Sequence, residues 1–171
     1  LEIGTEEIPA RFIPRALEQM KELAEKELKN NNIEFGDIQT FGTPRRLSVI
    51  IEGIPEYQKD VIKEVFGPPK KAAYAPDGSL TKAALGFAAS SGVSPESLVI
   101  KTKGKGEYVV AIVEEKGKAV KEILPEIFKK IVLSLHFPKS MRWGDRSLRF
   151  VRPIRWIAAL FANETVEFEI D

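Results

Sequence analysis

The sequence predicts an α+β fold in which a mixed, largely antiparallel sheet packs with about three helices. Strand-like and helical segments alternate irregularly, without the strict strand–helix–strand order of a parallel sheet. Glycine-containing turns separate neighbouring strand-like segments, which favours antiparallel hairpins. Two segments, roughly Ala10–Lys29 and Val120–Leu135, repeat apolar residues at intervals of three and four, which predicts helices.

The composition is typical of a globular chain. The 171 residues carry a formal net charge of +1 and are 43% hydrophobic, and they include no cysteine. The absence of cysteine excludes disulfides, thiolate zinc sites and cysteine nucleophiles. The longest apolar run, 157–162, is too short for a membrane span, so we expect a cytoplasmic protein with no membrane partner. We expect residues 1–171 to be one domain of a longer polypeptide, with 67–136 as a candidate inserted subregion.

Strands and loops dominate the first half of the chain after the first helix. The turn signal at Gly42–Pro44 predicts a strand over 45–54, and a second strand is predicted over 58–67. Residues 67–79 are predicted to form a long loop. Thr81 then provides an N-cap for a helix of small residues that ends at Gly92.

The second half begins with a predicted hairpin over 97–115 that turns at two glycines. The helix over Val120–Leu135 has the most regular apolar repeat in the chain, and Pro125 should kink it without ending it. Two strands follow, joined by a turn at 163–164. The first, 154–162, is expected to be buried on both faces, whereas the second, 165–170, alternates and should be half exposed.

Few side chains suit catalysis. The single histidine, His136, closes an apolar helix, which favours a structural role over acid–base work. Glu6 and Glu7 precede the first helix, and favourable interaction with its positive end explains them better than a catalytic pair. No phosphate-binding loop of the GxxxxGK[ST] type is present. We therefore predict no catalytic residue, metal site or cofactor site in this segment.

Positive charge is concentrated in one stretch, residues 136–156, which also contains both tryptophans of the chain. From Met141 to Trp156 there are five arginines and no lysine. Arginine is the residue that binds phosphate or carboxylate through two parallel hydrogen bonds and stacks on aromatic rings. The candidate binding residues are therefore Arg142, Arg146, Arg149, Arg152 and Arg155, together with the basic pair Arg45 and Arg46.

Three kinds of partner fit these arginines. Nucleic acid would supply phosphates for the guanidiniums and bases for the interleaved aromatic rings. Carboxylates could pair with them inside the fold or across a subunit interface, since Glu2–Asp37 contains nine acidic and five basic residues. A small anionic ligand is the third alternative. The spacing does not decide between them, because Gly144–Asp145 favours a turn within the stretch.

Four blocks of the sequence resemble one known family. They are LEIGTEEIPARF at 1–12, GTPRRLSV at 42–49, GPPKKAAYAPDGSLTKAALGFA at 67–88 and FPKSMRWGDRSLRFVRPIRWIAAL at 137–160. Together they closely resemble the beta subunit of bacterial glycyl-tRNA synthetase, in the order in which that family carries them. The resemblance covers most of the chain and corresponds to about the first quarter of that subunit.

The resemblance implies an α2β2 class II synthetase that joins glycine to its tRNA with ATP and magnesium. It places the adenylate-forming site, and with it ATP and magnesium, in the alpha subunit. The beta subunit is needed for activity and handles much of the tRNA. The expected partners are therefore the alpha subunit and glycine tRNA. The expected role is non-catalytic support of tRNA binding, of alpha–beta assembly or of both, and the alternative is a scaffold with internally paired arginines.

Overall fold

A computed structural model of the chain describes residues 1–104 and 106–170. The described chain contains four helices and several antiparallel sheets, which confirms the α+β class. It divides into two compact units, one formed by Leu1–Lys59 with the chain from Lys118 onward and the other by Asp60–Gly117. The second unit overlaps the candidate insertion 67–136, and the helix that starts at Val120 belongs to the first unit.

The helices and strands are numbered in chain order. The helices are α1 (Ile13–Asn30), α2 (Lys70–Ala73), α3 (Lys82–Ser90) and α4 (Val120–Ser134), with single 3-10 turns at Ala10–Phe12 and Pro95–Ser97. The strands are β1 (Glu2–Thr5), β2 (Ile38–Thr43), β3 (Arg46–Ile51), β4 (Val61–Pro69), β5 (Val99–Lys103), β6 (Gly106–Glu115), β7 (Met141–Arg142), β8 (Arg149–Phe150), β9 (Ile154–Ala158), β10 (Leu160–Phe161) and β11 (Glu164–Thr165). None of the helices in the described ranges is long and apolar enough to cross a membrane.

The first unit is built on a four-stranded antiparallel sheet with the order β2-β3-β1-β9. One face of this sheet is covered, because Ile3 of β1 and Leu47 and Val49 of β3 alternate inward and are almost completely buried. Helix α1 packs on this face with Met20 and its apolar neighbours at helical spacing. On the opposite face several side chains are exposed, among them Phe41 of β2 and Ile50 of β3.

Helix α4 completes the core of the first unit. It runs through Pro125 without interruption, as predicted, and ends at Ser134. Its apolar repeat is buried at six positions and packs with α1 in one hydrophobic cluster. The buried residues of α4 are Val120, Leu124, Ile127, Phe128, Ile131 and Val132.

The second unit is a three-stranded antiparallel sheet with the order β4-β6-β5. The strands β5 and β6 form the predicted hairpin, whose residue 105 lies outside the described residues. Helix α3 buries Ala84 and Ala88, and Ala84 forms a small core with Ala73 of α2 and Val109 of β6. Thr81 occupies the N-cap position as predicted, but its hydroxyl donates to the carbonyl oxygen of Ala72 at 2.7 Å instead of capping α3.

Three secondary-structure expectations were wrong. The predicted loop over 67–79 contains the end of β4 and the short helix α2. β9 ends at Ala158 and is partly exposed, because it is an edge strand that pairs with β1 alone in its sheet. The segment 166–170 forms no strand, and Thr165 alone of the predicted second strand pairs with β10, together with Glu164 from the predicted turn.

The buried stripe of α4 gives a stability prediction. Ile127 is 1% exposed, and truncating a buried isoleucine removes transfer free energy and leaves a cavity. We expect Ile127→Ala to lower the free energy of unfolding by about 2–5 kcal/mol, measured by urea unfolding. The matched control is the exposed neighbour Glu126→Ala, which should change it by less than about 0.5 kcal/mol. Equal losses from both variants would show that the stripe does not stabilise the core.

Candidate nucleic-acid interface

The central strand β1 connects the two segments that carry the predicted arginines. Gly4 of β1 lies opposite Arg46 of β3 on one side and opposite Trp156 of β9 on the other. The pairing with β9 shifts between Gly4 and Thr5, where the regular ladder ends. β1 therefore brings residues from near position 46 and near position 156 into the same sheet, although they are distant in sequence.

The chain after β1 remains attached to both segments through backbone hydrogen bonds. The Thr5 amide donates to the carbonyl oxygen of Arg45 at 2.9 Å. The next amide, that of Glu6, donates to the carbonyl oxygen of Pro153 at 3.0 Å. The backbone positions of Arg45 and of the residues that begin β9 are thus fixed relative to one another.

Arg45 and Arg46 lie at the tip of the β2–β3 hairpin. Thr43 pairs with Arg46, and the turn between them consists of Pro44 and Arg45. Both arginines are exposed. The Nη1 atom of Arg46 lies 3.8 Å from a carboxylate oxygen of Glu2, and the Arg46 side chain is 57% exposed. The guanidinium of Arg46 therefore faces solvent despite its nearby carboxylate.

Arg142 and Arg149 stand directly opposite each other in the β7–β8 hairpin. Gly144 has a φ of +65° in the intervening turn, which confirms the turn predicted at 144–145. Both arginines are exposed, and Arg149 donates from Nη2 to the carbonyl oxygen of Ser140 at 2.9 Å. Two like charges at a directly opposed pair destabilise a hairpin, and a bound anion would relieve that repulsion.

Arg152 and Arg155 flank the segment after β1 from the other side. The Nε of Arg152 donates to the backbone carbonyl oxygen of Glu7 at 2.9 Å, and the residue is half-buried. The Nε of Arg155 lies 3.4 Å from a carboxylate oxygen of Glu6, with 66% of the arginine side chain exposed. Exposed pairs of this kind stabilise a fold by at most about 1 kcal/mol.

The expectation for the two glutamates at the start of α1 was wrong. The first turn of α1 contains no acidic residue, because the helix begins at Ile13. Glu6 instead faces Arg155, and the backbone of Glu7 accepts a hydrogen bond from Arg152. These two residues contact the arginine-bearing segment and do not interact with the positive end of the helix.

An open cleft collects the remaining elements of the site. It has a volume of about 810 Å³ and lies beside the β7–β8 hairpin and β9. Both tryptophans, Trp143 and Trp156, line it, as do Arg146 and Arg155. The structure thus brings together two of the predicted arginines and both large aromatic rings. The remaining predicted arginines lie at the hairpin tips and along the segment between Phe150 and Ile154.

Sequence reasoning missed the contact that orients Trp156. A Cβ atom added at Gly4 would lie 2.1 Å from Cε2 and 2.5 Å from Cδ2 of the Trp156 ring. The ring therefore lies directly over the Gly4 backbone, in space that any other residue would fill. A glycine inside a strand-like segment often marks such a close approach, so the signal was present in the LEIGT block.

Across 1–104 and 106–170, no group of three or more histidine, aspartate or glutamate side chains is placed to hold a metal ion. His136 is exposed after the end of α4, and its backbone amide and carbonyl bond the side chain of Gln19.

Comparison with known proteins gives a consistent result over the whole chain. The sequence profile of the family described as "Glycyl-tRNA synthetase beta subunit" matches residues 1–171. The chain is 51% identical over 170 residues to the glycine–tRNA ligase beta subunit of Desulforamulus reducens, and these cover 99% of the chain and 24% of that protein. It is 48% identical over 169 residues to the beta subunit of Moorella thermoacetica, with 99% and 24% covered. The chain thus spans about a quarter of the length of these curated relatives.

The packing of Trp156 on Gly4 gives a prediction about the sheet. Gly4→Ala would force the indole ring away from β1, and such overpacking typically lowers the free energy of unfolding by about 1–3 kcal/mol. Urea unfolding measures the change. The control is Gly86→Ala in α3, where an added Cβ meets nothing within 4 Å and should stabilise the helix by up to about 1 kcal/mol.

A double-mutant cycle identifies the cause of the loss. In a Trp156→Ala background the ring is gone, so Gly4→Ala should cost much less than it does in the natural sequence. An equal loss of unfolding free energy in both backgrounds would show that the effect of Gly4→Ala does not come from a clash with the Trp156 ring.

Proposed function

The chain belongs to the glycyl-tRNA synthetase beta subunit family, and on that premise we propose that it forms the tRNA-contacting N-terminal region of a glycine–tRNA ligase. The ligase is a cytoplasmic class II synthetase of α2β2 composition that joins glycine to tRNA. The alpha subunit is the partner and holds ATP and magnesium at the site of glycine activation. This region contributes no catalytic group and binds the acceptor arm or the body of the tRNA.

The exposed arginines on both sides of β1 carry this proposal. Arg45, Arg142, Arg149 and Arg155 are exposed to solvent and lie on segments that converge on β1 or adjoin β9. Guanidiniums in this setting can bind phosphate oxygens through paired hydrogen bonds. A polyanion such as tRNA supplies many closely spaced phosphates, so it can bind several of these guanidiniums at once, whereas a single carboxylate cannot.

The burial of the ion pairs favours RNA over a purely structural scaffold. A scaffold role requires arginines that are paired with carboxylates away from water, where removing one partner is costly. The pairs Arg46–Glu2 and Arg155–Glu6 instead span 3.8 and 3.4 Å, with 57% and 66% of the arginine side chains exposed. Because these ion pairs are at the surface, a phosphate can replace the carboxylate as the partner of each guanidinium.

Assembly with the alpha subunit is a second role that one observation favours. Phe41 of β2 and Ile50 of β3 are 51% and 52% exposed on the face of the sheet opposite α1. Exposed large apolar residues on the same sheet face favour a protein contact over a free surface. Arg46 lies on the same face of the sheet, whereas Arg142 and Arg149 lie outside this sheet in the β7–β8 hairpin.

The tRNA role predicts a change in salt dependence. The variant combines Arg142→Ala, Arg149→Ala and Arg155→Ala in the assembled alpha–beta enzyme. Each lost phosphate contact should reduce the slope of log affinity against log salt by somewhat under one unit. We therefore expect weaker tRNA binding, a slope lower by about two units and unchanged glycine activation. The measurement is the tRNA dissociation constant across a salt series.

The control for this experiment removes the same charge elsewhere. Arg15, Lys26 and Lys29 are exposed residues of α1, and their triple alanine variant should keep the salt slope of the natural enzyme. Failed assembly of the first variant, with an unaltered slope in the tetramer that does form, would identify the arginines as structural.

The division of labour between subunits predicts that residues 1–171 alone are inactive. Because the proposal gives the site of glycine activation to the alpha subunit, the purified region should neither activate glycine nor aminoacylate tRNA. Glycine-dependent pyrophosphate exchange measures activation directly. Exchange above background in a preparation free of alpha subunit would contradict the proposal.

A further inference from the structure

We infer that the open cleft beside β9 holds an unpaired nucleotide of bound RNA, with its base stacked on the Trp156 ring. This inference rests on the proposed tRNA role and specifies which part of an RNA the surface selects. The cleft is lined by Trp143, Trp156, Arg146 and Arg155, and its volume of about 810 Å³ is within the usual range for ligand sites.

Trp156 is a preformed stacking surface. Three atoms of its ring, Cδ2, Cε2 and Nε1, lie within 2.5 Å of the position that a Cβ at Gly4 would take. The ring therefore rests on the backbone of β1, yet the residue remains 44% exposed. Because the strand supports one side of the ring, little side-chain freedom is lost when a base stacks on the exposed part.

Trp143 forms a second fixed wall of the cleft. Its Nε1–H donates to the carbonyl oxygen of Phe150 at 3.0 Å, which fixes the orientation of the indole. Phe150 is itself buried against Phe137, with ring centroids 4.9 Å apart, so the acceptor belongs to the core. The two indoles of the cleft are thus both held by backbone contacts before any ligand binds.

The charges of the cleft fit a nucleotide. The Arg155 side chain is 66% exposed and lies at the cleft with Arg146, where guanidiniums can bind the phosphate next to a stacked base. Glu169 also lines the cleft, and its carboxylate can accept hydrogen bonds from the amino group of a base. The cleft therefore offers a group for each part of a nucleotide. The aromatic rings can stack on the base, the arginines can bind its phosphate, and Glu169 can accept a hydrogen bond from an amino group of the base.

Only an unpaired nucleotide can use these groups together. In a duplex each base face is covered by its neighbours, so an aromatic side chain stacks on bases in loops, bulges or single-stranded ends. A duplex would contact the exposed arginines alone. The cleft therefore distinguishes single-stranded RNA from duplex RNA, which the surface arginines do not.

The test uses the assembled alpha–beta enzyme carrying Trp156→Ala or Trp156→Phe. The probes are glycine tRNA, a short single-stranded RNA and a blunt RNA duplex of equal charge. Loss of one stacked base corresponds to about a 5- to 150-fold loss of affinity. We expect Trp156→Ala to weaken binding of tRNA and single-stranded RNA within that range, with an unchanged salt slope and unchanged duplex binding.

Two further variants complete the design. Trp156→Phe retains an aromatic ring and should recover most of the affinity, which a merely structural role of the indole side chain does not predict. Tyr57→Ala removes a comparably exposed aromatic residue that does not line the cleft and should leave RNA binding unaltered. In parallel, tRNA containing 4-thiouridine is photocrosslinked to the natural enzyme, and we expect cross-links in the peptide that contains Trp143 or Trp156.

Each contrary outcome has a distinct meaning. If the arginine variant flattens the salt slope while Trp156→Ala binds every RNA normally, the tRNA role stands and the cleft proposal is wrong. If Trp156→Ala disrupts subunit assembly but the assembled enzyme binds tRNA normally, the cleft is a protein-docking site and the proposal is also wrong. Absence of cross-links from both tryptophan peptides overturns it independently of protein stability.

Discussion

The pairing of β1 with both β3 and β9 is the constraint on which the rest of the first unit depends. β1 is only Glu2–Thr5, yet it joins strands that are separated by about 100 residues of sequence. Its inward residue Ile3 is completely buried and helps to close the core against the helices. Its outward residues place Arg46 and Trp156 on either side of Gly4. Core packing and surface charge are thus organised by the same short strand.

Gly4 links this constraint to the chemistry of the surface. The absence of a side chain there lets the indole of Trp156 rest on the strand, so an exposed edge strand acquires a fixed aromatic surface. Just beyond this point, the backbone amides of Thr5 and Glu6 donate hydrogen bonds to the carbonyl oxygens of Arg45 and Pro153. Because the contact with Arg45 is made by its backbone carbonyl, the Arg45 side chain remains exposed to solvent.

Local patterns predicted most of the helical structure. The apolar repeat of α4 is long enough to indicate a buried helix despite Pro125, and the glycine at 144 indicated the turn between β7 and β8. The family resemblance, which rested on four blocks spread over most of the chain, is also confirmed, because the family's sequence profile matches residues 1–171. The arginines could be identified as a group from their residue type and density alone.

Long-range pairing could not be derived from the sequence. The apolar run at the start of β9 is equally compatible with a central or an edge strand, so its exposure at Trp156 was not predictable from periodicity. The strand β2 was missed because Gly42 and Pro44 mark a turn and obscure the strand before it. The common cleft of the two tryptophans depends on how β9 and the β7–β8 hairpin meet, which spacing does not encode.

The proposed tRNA role requires the arginines around β1 to contact tRNA in the whole enzyme. Arginine modification by phenylglyoxal, followed by peptide mass spectrometry with and without glycine tRNA, measures this at each residue. We expect tRNA to slow modification of Arg45, Arg142, Arg149 and Arg155, while Arg15 on α1 reacts at the same rate in both states. Equal rates with and without tRNA at all of these arginines, in enzyme that binds tRNA, would contradict it.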